Sequence, residues 1–276
     1  MMTNLRLPKW LDNFIYDDLG AKYCRSNSDM TVIDWDREDV LNYLGTYFPR
    51  SYTESYWIFS EFFRLQPKRF ADKEELSIFD FGCGTGGEII GLLTVISQCL
   101  PKVKKVSVIA MDGNFHSLRL YERVLSEYKM TTRLEICNRV LPMTIDDFYD
   151  LKVLERVLSY KFDIFMTFKA ICEFVTKDRF ESENAYAHFI RVFMPKLSVC
   201  GIMLIVDVST YNNVSQEWLP RMMDAGISEV NCNIVSRNDN YNQSFFVSHS
   251  QFNNDISKVA WRILDAPVCN KYNFND

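Results

Sequence analysis

Short apolar runs and longer amphipathic stretches follow each other along this chain, and they alternate regularly from residue 76 onward. Apolar runs of about four to eight residues predict buried strands, whereas apolar positions at helical spacing predict one face of a helix. Alternating strands and helices predict a parallel sheet covered by helices. The predicted strands are 78–81, 106–111, 133–137, 162–168 and 202–208, and the predicted helices are 89–96, 115–128, 145–158, 185–197 and 216–225.

Both ends of the chain depart from this alternation. Near the N-terminus, residues 39–47 and 53–65 form two amphipathic patterns separated by Pro49, which predicts two helices in a helical cap. Near the C-terminus, the apolar runs 230–235 and 244–247 are joined by a polar loop rather than a helix, which predicts an antiparallel hairpin.

The predicted fold class is therefore α/β, with a Rossmann-like, mostly parallel sheet of seven strands and an antiparallel edge hairpin. We expect residues 1–70 to form the helical N-terminal cap and residues 71–276 to form the domain that holds the sheet.

Composition narrows the class of protein. The chain has 276 residues, 47% of them hydrophobic, and a formal net charge of −5, which weakly disfavours a nucleic-acid partner. Its eight cysteines are scattered without a Cys-x-x-Cys pair, and its three histidines are far apart, so we expect reduced thiols and no metal site. No apolar stretch approaches 18 residues, so we expect a soluble cytoplasmic protein that does not enter a membrane.

The densest signal for function is the glycine-rich turn in residues 77–88, between a predicted strand and a predicted helix. Glycines at such a junction permit positive φ angles and let a ligand approach the backbone beside free N–H groups of the helix. Gly82, Gly84 and Gly87 satisfy the dinucleotide pattern G-x-G-x-x-G. Gly82, Gly84 and Gly86 satisfy the tighter pattern G-x-G-x-G. Two cofactor classes therefore stay open at this point.

The run Phe79-Asp-Phe-Gly-Cys-Gly-Thr-Gly86 resembles motif I of class I S-adenosylmethionine-dependent methyltransferases. The resemblance implies S-adenosylmethionine as cofactor, a loop that wraps its methionine half, and a last strand inserted antiparallel. It spans roughly residues 76–250. The cofactor-binding residues that it implies here are Asp80, Gly82, Cys83, Gly84 and Gly86.

Asp112 follows the second predicted strand, where an acid accepts hydrogen bonds from ribose hydroxyls in either cofactor class. The alternative is that Asp112 caps the next helix. Gly113 and Asn114 complete this segment, and Asn114 would either cap the helix or contact the cofactor. By the same resemblance, Asn138 after the third predicted strand would meet the adenine.

The end of the fourth predicted strand is where a methyl acceptor would lie, because carboxyl ends of parallel strands form the ligand crevice. Phe168 is expected to line the cofactor there, and Lys169 would bind an acidic substrate or extend to solvent. Glu173 is a candidate general base, and Asp207 after the fifth strand is a second candidate. The alternative for Glu173 is a carboxylate at the start of a helix on a solvent-exposed face, and the alternative for Asp207 is a cap of the following turn.

Two residues of the cap, Arg50 and Tyr52, are expected to close over the cofactor, since relatives often use a residue upstream of the first strand in this way. The alternative for these aromatic and cationic positions is a place in the core.

The sequence thus predicts an enzyme that transfers a methyl group from S-adenosylmethionine to an oxygen or nitrogen nucleophile. A small molecule or a protein side chain is favoured as the acceptor. The alternatives are a non-catalytic, methyltransferase-like subunit that binds a partner, and an NAD-dependent oxidoreductase.

Overall fold

A nine-stranded sheet forms the centre of the computed structural model, which describes residues 3–25, 36–176, 184–213, 215–238 and 240–265. Helices cover both faces of the sheet, and two further short strands, β7 and β8, pair separately. The strands are β1 Thr3–Arg6, β2 Glu75–Phe81, β3 Lys105–Asp112, β4 Glu135–Pro142, β5 Phe162–Phe168, β6 Leu197–Val208, β7 Tyr211–Asn212, β8 Glu217–Trp218, β9 Ile234–Arg237, β10 Gln243–His249 and β11 Phe252–Asp265. The helices are α1 Lys9–Asn13, α2 Arg37–Leu65, α3 Gly87–Cys99, α4 Phe115–Lys129, α5 Lys152–Val157, α6 Ile171–Thr176, α7 Ala185–Phe193 and α8 Leu219–Glu229, with a π-helical turn at Phe14–Asp18 and a 3₁₀ turn at Met194–Lys196.

The strand order is β4-β3-β2-β5-β6-β11-β10-β1, with β9 paired to β11 outside this path. Strands β2 to β6 are parallel to one another, and β11 is antiparallel to both β6 and β10. The predicted class, a mostly parallel Rossmann-like sheet with an antiparallel strand near one edge, is confirmed. The sheet has nine strands rather than seven because β1 and β11, which the apolar pattern did not predict, add to it.

The predicted pairing of the late hairpin is wrong. Strand β10 pairs with β11, which the apolar pattern did not reveal, and β9 pairs with β11 instead of β10. Asn253 and Asn254, near the start of β11, are polar and exposed, and the buried half of the strand contains Arg262. The Arg262 guanidinium lies 2.7 Å from Asp224 and 2.8 Å from Asn238, so a charged residue is accommodated inside a buried strand.

Helix α2 continues through Pro49 and is not split into two helices as predicted. Proline lacks the N–H that would reach the carbonyl four residues earlier, which is that of Gly45. The hydroxyl of Tyr16 donates a hydrogen bond to this carbonyl at 2.5 Å and replaces the missing donor. The first part of the chain therefore supplies the contact that keeps α2 continuous.

We expect Tyr16→Phe to lower the free energy of unfolding by about 1–3 kcal/mol, because a buried carbonyl then loses its donor. Urea denaturation would measure the change. Tyr56→Phe is the control, since the Tyr56 hydroxyl bonds the exposed side chain of Gln98 at 3.2 Å and its loss should change stability by less than about 0.5 kcal/mol. Equal effects of the two substitutions would contradict this account of Pro49.

Helices α2 and α3 approach each other closely through two glycines of α3. A Cβ atom at Gly87 would lie 2.5 Å from the Phe48 carbonyl oxygen, and one at Gly91 would lie 2.5 Å from that of Tyr52. In addition, the Ser55 hydroxyl donates a hydrogen bond to the carbonyl of Glu88 at 2.7 Å. This contact fixes α2 against the helix that follows the glycine turn, while β1 joins the sheet itself. A separate domain for residues 1–70 stays a prediction.

His249 lies at the end of β10 between two tyrosine rings. Its ring is stacked on Tyr16 with centroids 5.0 Å apart and lies 5.4 Å from Tyr23. The side chain is buried, and neither ring nitrogen has a hydrogen-bond partner within the described ranges. Burial lowers the pKa of His249, and the charge of Arg50 lowers it further against the opposing effect of Asp255 and Asp12.

This lowered pKa predicts a pH dependence of stability. An unfolded histidine titrates near about pH 6.5, and His249 in the folded protein titrates at a lower pH. Between these two pH values the unfolded chain binds more protons than the folded chain. Stability should therefore fall as the pH falls through this window. His249→Phe keeps the ring stacking, so its midpoint of thermal unfolding should change less between pH 7.0 and pH 5.0 than that of the wild type. An identical pH dependence in the two proteins would show that His249 does not contribute.

No helix within the described ranges is both long enough and apolar enough to cross a lipid bilayer.

Candidate cofactor site

The glycine-rich turn connects β2 to α3 at the carboxyl edge of the sheet. Gly82, Gly84 and Gly86 have φ angles of 73°, 50° and 78°, a region that favours glycine. A Cβ atom at Gly82 would lie 2.5 Å from that of Ala170, and one at Gly86 would collide with the ring of Tyr121. The turn thus uses the tighter G-x-G-x-G spacing, whereas Gly87 serves the packing of α3 on α2.

Asp112, at the end of β3, holds this turn in place. One carboxylate oxygen accepts a hydrogen bond from the N–H of Gly84 at 2.7 Å, and the other accepts one from the N–H of Asn114, also at 2.7 Å. Burial raises the pKa of Asp112, and these two hydrogen bonds oppose the rise. Carboxylates accept more than one hydrogen bond per oxygen, so Asp112 retains capacity toward a ligand.

The residue that caps the next helix is Asn114, and not Asp112. The Asn114 side chain is buried and accepts a hydrogen bond from the N–H of Ser117 at 2.9 Å, at the start of α4. Cys83 is buried inside the turn, with its thiol 3.7 Å from the carbonyl oxygen of Gly84.

A cleft of about 650 Å³, including the part open to solvent, lies against this turn. The walls come from α2, from the ends of β2 and β3, from the segment after β4 and from the start of α6. The lining residues are Tyr43, Phe81, Gly82, Gly84, Met111, Asp112, Gly113, Met143, Thr144, Ile145, Phe168, Lys169, Ala170, Glu173 and Phe174.

Two more carboxylates are buried beside the turn. Asp80 in β2 is fully buried, and neither of its carboxylate oxygens has a hydrogen-bond partner among the residues that the structure describes. Burial raises its pKa well above the ordinary value, and the charges of Glu88 and Asp112 raise it further. Burial likewise raises the pKa of Glu88 to about 8. A buried carboxylate without a donor is costly, which points to a ligand group that would compensate it.

Lys169 ties the segment after β5 to α2 across the cleft. Its Nζ lies 2.7 Å from Oε2 of the fully buried Glu54 and 3.0 Å from the hydroxyl of Ser51. Ser257 donates a further hydrogen bond to Glu54. Lys169 also has a φ of 57°, a strained value for a residue with a side chain. The positive charge of Lys169 is therefore balanced inside the protein.

The two candidates from the cap lie outside the cleft lining. The Arg50 guanidinium makes a bidentate ion pair with the buried carboxylate of Asp255, at 2.7 and 2.8 Å. The hydroxyl of Tyr23 also bonds Asp255, at 3.1 Å. Tyr52 is buried between α2 and α3. A role for either residue at the cofactor stays a prediction, and the helix reaches the cleft through Tyr43.

Asn138 also lies away from the cleft. Strand β4 continues to Pro142, five residues beyond its predicted end, so Asn138 stands in mid-strand. There it accepts a hydrogen bond from the Tyr121 hydroxyl at 2.6 Å. Ligands bind beyond the carboxyl ends of parallel strands. Beyond the end of β4, the residues that line the cleft begin with Met143 and Thr144.

The two candidate catalytic carboxylates have different surroundings. Glu173 lines the cleft, whereas Asp207 is buried and accepts hydrogen bonds from the N–H of Cys172 at 3.0 Å and the hydroxyl of Tyr186 at 2.9 Å. Burial raises the pKa of Asp207, and these hydrogen bonds oppose the rise. Asp207 thus holds the start of α6, the helix that carries Glu173.

Sequence reasoning missed several residues of the cleft. Tyr43 lies over the turn, with its ring 3.2 Å from the place of a Cβ atom on Gly84. Its aromatic character in an amphipathic helix gave no sign of this position. Other missed residues are Met143, Thr144 and Ile145, which follow β4, Phe174 in α6, and Phe81, Met111 and Ala170 at or just after the ends of β2, β3 and β5.

The described residues contain no group of three or more His, Cys, Asp and Glu side chains that could hold a metal ion.

No family model matches the chain, and no curated protein matches it. Among solved structures, it is similar to a magnesium protoporphyrin IX methyltransferase from Synechocystis with bound SAM, at 9% identity and a TM-score of 0.46, over 92% of this chain and 89% of that one. It is also similar to a putative RNA methyltransferase from Pyrococcus horikoshii, at 13% identity and a TM-score of 0.46, over 91% and 97%. A third is a putative class I S-adenosylmethionine-dependent methyltransferase from Listeria monocytogenes, at 13% identity and a TM-score of 0.44, over 86% and 62%. At this level of similarity the alignments carry no argument about function, and the fold class rests on the strand order.

Proposed function

We propose that this protein binds S-adenosylmethionine at the glycine turn and transfers its methyl group to an oxygen or nitrogen nucleophile of a small molecule or a protein side chain. The observation that carries the proposal is the antiparallel strand β11 between β6 and β10, in the sheet whose strand β2 ends in the G-x-G-x-G turn. The resemblance to class I methyltransferases implies a last strand inserted antiparallel in this way, whereas ordinary dinucleotide-binding sheets, which are mostly parallel, do not end in this way.

The residues at the turn fit this cofactor. Asp112 stands where ribose hydroxyls would donate hydrogen bonds, at the carboxyl end of the strand next to the turn. Asp80 has two buried oxygens without a donor from the described residues, and the ammonium group of the methionine half would compensate that charge. Gly113, Met143, Ile145 and Phe168 would surround the adenine and sugar with backbone and apolar groups.

The cofactor would supply a methyl carbon bound to a cationic sulfur, which leaves as a neutral thioether. The protein's own contribution is chiefly to hold the two reactants in line, which is worth many orders of magnitude in effective concentration. Glu173 would accept a proton from the acceptor at the cleft wall. Asp207 is a positioning residue, because it bonds the backbone N–H of Cys172 next to Glu173.

Two other functions make different demands on the same cleft. An NAD-dependent oxidoreductase would use the same glycine turn, but Gly87 packs against α2 rather than completing the dinucleotide pattern. A non-catalytic subunit that binds a partner would not need Asp112 to line a cleft that is open to a ligand. The ligand that binds at the turn therefore distinguishes all three.

Ultraviolet crosslinking with radiolabelled S-adenosylmethionine tests the proposal. Label should enter a peptide from the turn, from the end of β3 or from residues 143–145, and excess S-adenosylhomocysteine should prevent it. NAD at the same concentration should leave the labelling unchanged. Label that is absent, or that is displaced by NAD and not by S-adenosylhomocysteine, would overturn the proposal.

A further inference from the structure

Two walls meet the glycine turn from distant parts of the chain. From α2, the ring of Tyr43 comes within 3.2 Å of the place where Gly84 would carry a Cβ atom. From the segment after β5, the Cβ atom of Ala170 comes within 2.5 Å of the corresponding place on Gly82. Tyr43 and Ala170 also line the cleft. The affinity for a ligand on the turn would therefore depend on how these two walls are placed relative to each other.

An ion pair joins the two walls. Lys169 precedes Ala170, and its Nζ lies 2.7 Å from Oε2 of Glu54 in α2. The same Nζ lies 3.0 Å from the hydroxyl of Ser51, one helical turn earlier. The other carboxylate oxygen of Glu54 accepts a hydrogen bond from Ser257 in β11. The side chain of Lys169 is 15% exposed and that of Glu54 is 0% exposed, so salt screens this pair little.

The backbone of Lys169 is held in place as well. Its N–H donates a hydrogen bond to the carbonyl of Val206 in β6 at 2.8 Å, and its carbonyl accepts one from the thiol of Cys172 at 3.2 Å. Its φ of 57° is strained for a residue with a side chain and persists only where the surroundings fix it. Because Lys169 is fixed by these bonds, its ammonium group holds α2 at a defined position.

Stability alone does not account for a buried ion pair at this place. Removing two charges from water costs about as much free energy as their attraction recovers, and apolar side chains of similar volume often stabilise a fold equally well. The positive φ of Lys169 adds a further cost. Strained backbone is concentrated at ligand sites, where it is part of the function. These costs, on a residue that lines the cleft, point to a role in the site.

We infer that Glu54 and Lys169 are positioning residues for the cofactor: their ion pair fixes the wall that carries Tyr43 against the wall that carries Ala170, with the glycine turn between them. The inference rests on the proposed function, since the ligand that is positioned is the proposed cofactor. Without the pair, only a fraction of the molecules would hold both walls in the binding arrangement, and the apparent Kd would rise by the inverse of that fraction.

A double-substitution cycle separates this role from a purely structural one. Glu54→Leu or Lys169→Met alone leaves one buried charge unpaired, so each variant should unfold at a lower urea concentration than the wild type. The double variant removes both charges, and its urea midpoint should return at least halfway to the wild-type value. Calorimetric titration should nevertheless show that its Kd for S-adenosylhomocysteine is at least about tenfold above that of the wild type.

Ser51→Ala is a milder variant that keeps the ion pair and removes one hydrogen bond from Nζ of Lys169. It should stay folded and raise the Kd for S-adenosylhomocysteine by about threefold. Glu229→Gln is the control for the loss of an ion pair, because Glu229 pairs with Arg191 on the surface and both side chains are exposed. It should change neither the urea midpoint nor the Kd.

A double variant of Glu54 and Lys169 that binds S-adenosylhomocysteine within twofold of the wild type would overturn the inference. So would an unchanged Kd in Ser51→Ala, which is informative even where the double variant does not fold. A wild-type protein that fails to bind S-adenosylhomocysteine would instead overturn the proposed function, so the two failures are distinguishable.

Discussion

Asp112→Ala is expected to raise the Kd for S-adenosylhomocysteine by at least about 100-fold, the equivalent of about 2.7 kcal/mol. The carboxylate accepts hydrogen bonds from the backbone of Gly84 and Asn114, and each charged hydrogen bond contributes about 1.5–3 kcal/mol. Its loss would free the turn and remove the proposed acceptor for the ribose hydroxyls. Calorimetric titration of the wild type and the variant would measure the change.

The control for this effect is Asp72→Ala. Asp72 is exposed and pairs with Lys102 at the opposite edge of the sheet, so its loss should leave cofactor binding unchanged. Circular dichroism would establish that both variants are folded. A folded Asp112→Ala protein that binds within threefold of the wild type would contradict the assignment of this residue.

Gly91→Val is expected to lower the free energy of unfolding by about 3 kcal/mol or more, since overpacking of a close contact forces the backbones apart. The added Cβ atom would lie 2.5 Å from the carbonyl oxygen of Tyr52 and 3.0 Å from the side chain of Ser55. Helices α2 and α3 cannot keep their spacing with such contacts. Urea denaturation would show the change as a lower midpoint at a similar slope.

Gly113→Ala is the matched glycine control for stability. The nearest atoms to its added Cβ atom belong to Thr144, at the ordinary contact distance of 3.5 Å, so stability should change by less than about 1 kcal/mol. If Gly91→Val were as mild as Gly113→Ala, then α2 would not be held to α3 by the close approach of their backbones.

Local patterns were sufficient to predict the glycine turn and its neighbour Asp112. Three glycines within five residues impose a backbone that other residues rarely adopt, and an acid at the end of the adjacent parallel strand is brought to the same edge by the topology. The parallel part of the sheet was also predicted from a local pattern, the alternation of strands and helices along the chain.

Contacts distant in sequence explain what the patterns missed. The continuity of α2 depends on a hydrogen bond from Tyr16 to Gly45, which no local signal at Pro49 could show. The burial of Arg262 in β11 depends on Asp224, from another element. Tyr43 reaches the cleft because α2 packs across α3, so its position follows from the tertiary arrangement and not from helical spacing.

Calorimetric titration of the wild-type protein with S-adenosylhomocysteine, with NAD titrated in parallel, tests the central claim most directly. The account predicts saturable binding of S-adenosylhomocysteine at one site per chain and no binding of NAD. Binding of NAD alone would contradict the methyltransferase assignment in favour of an oxidoreductase. Binding of neither would contradict the claim that the glycine turn holds a cofactor.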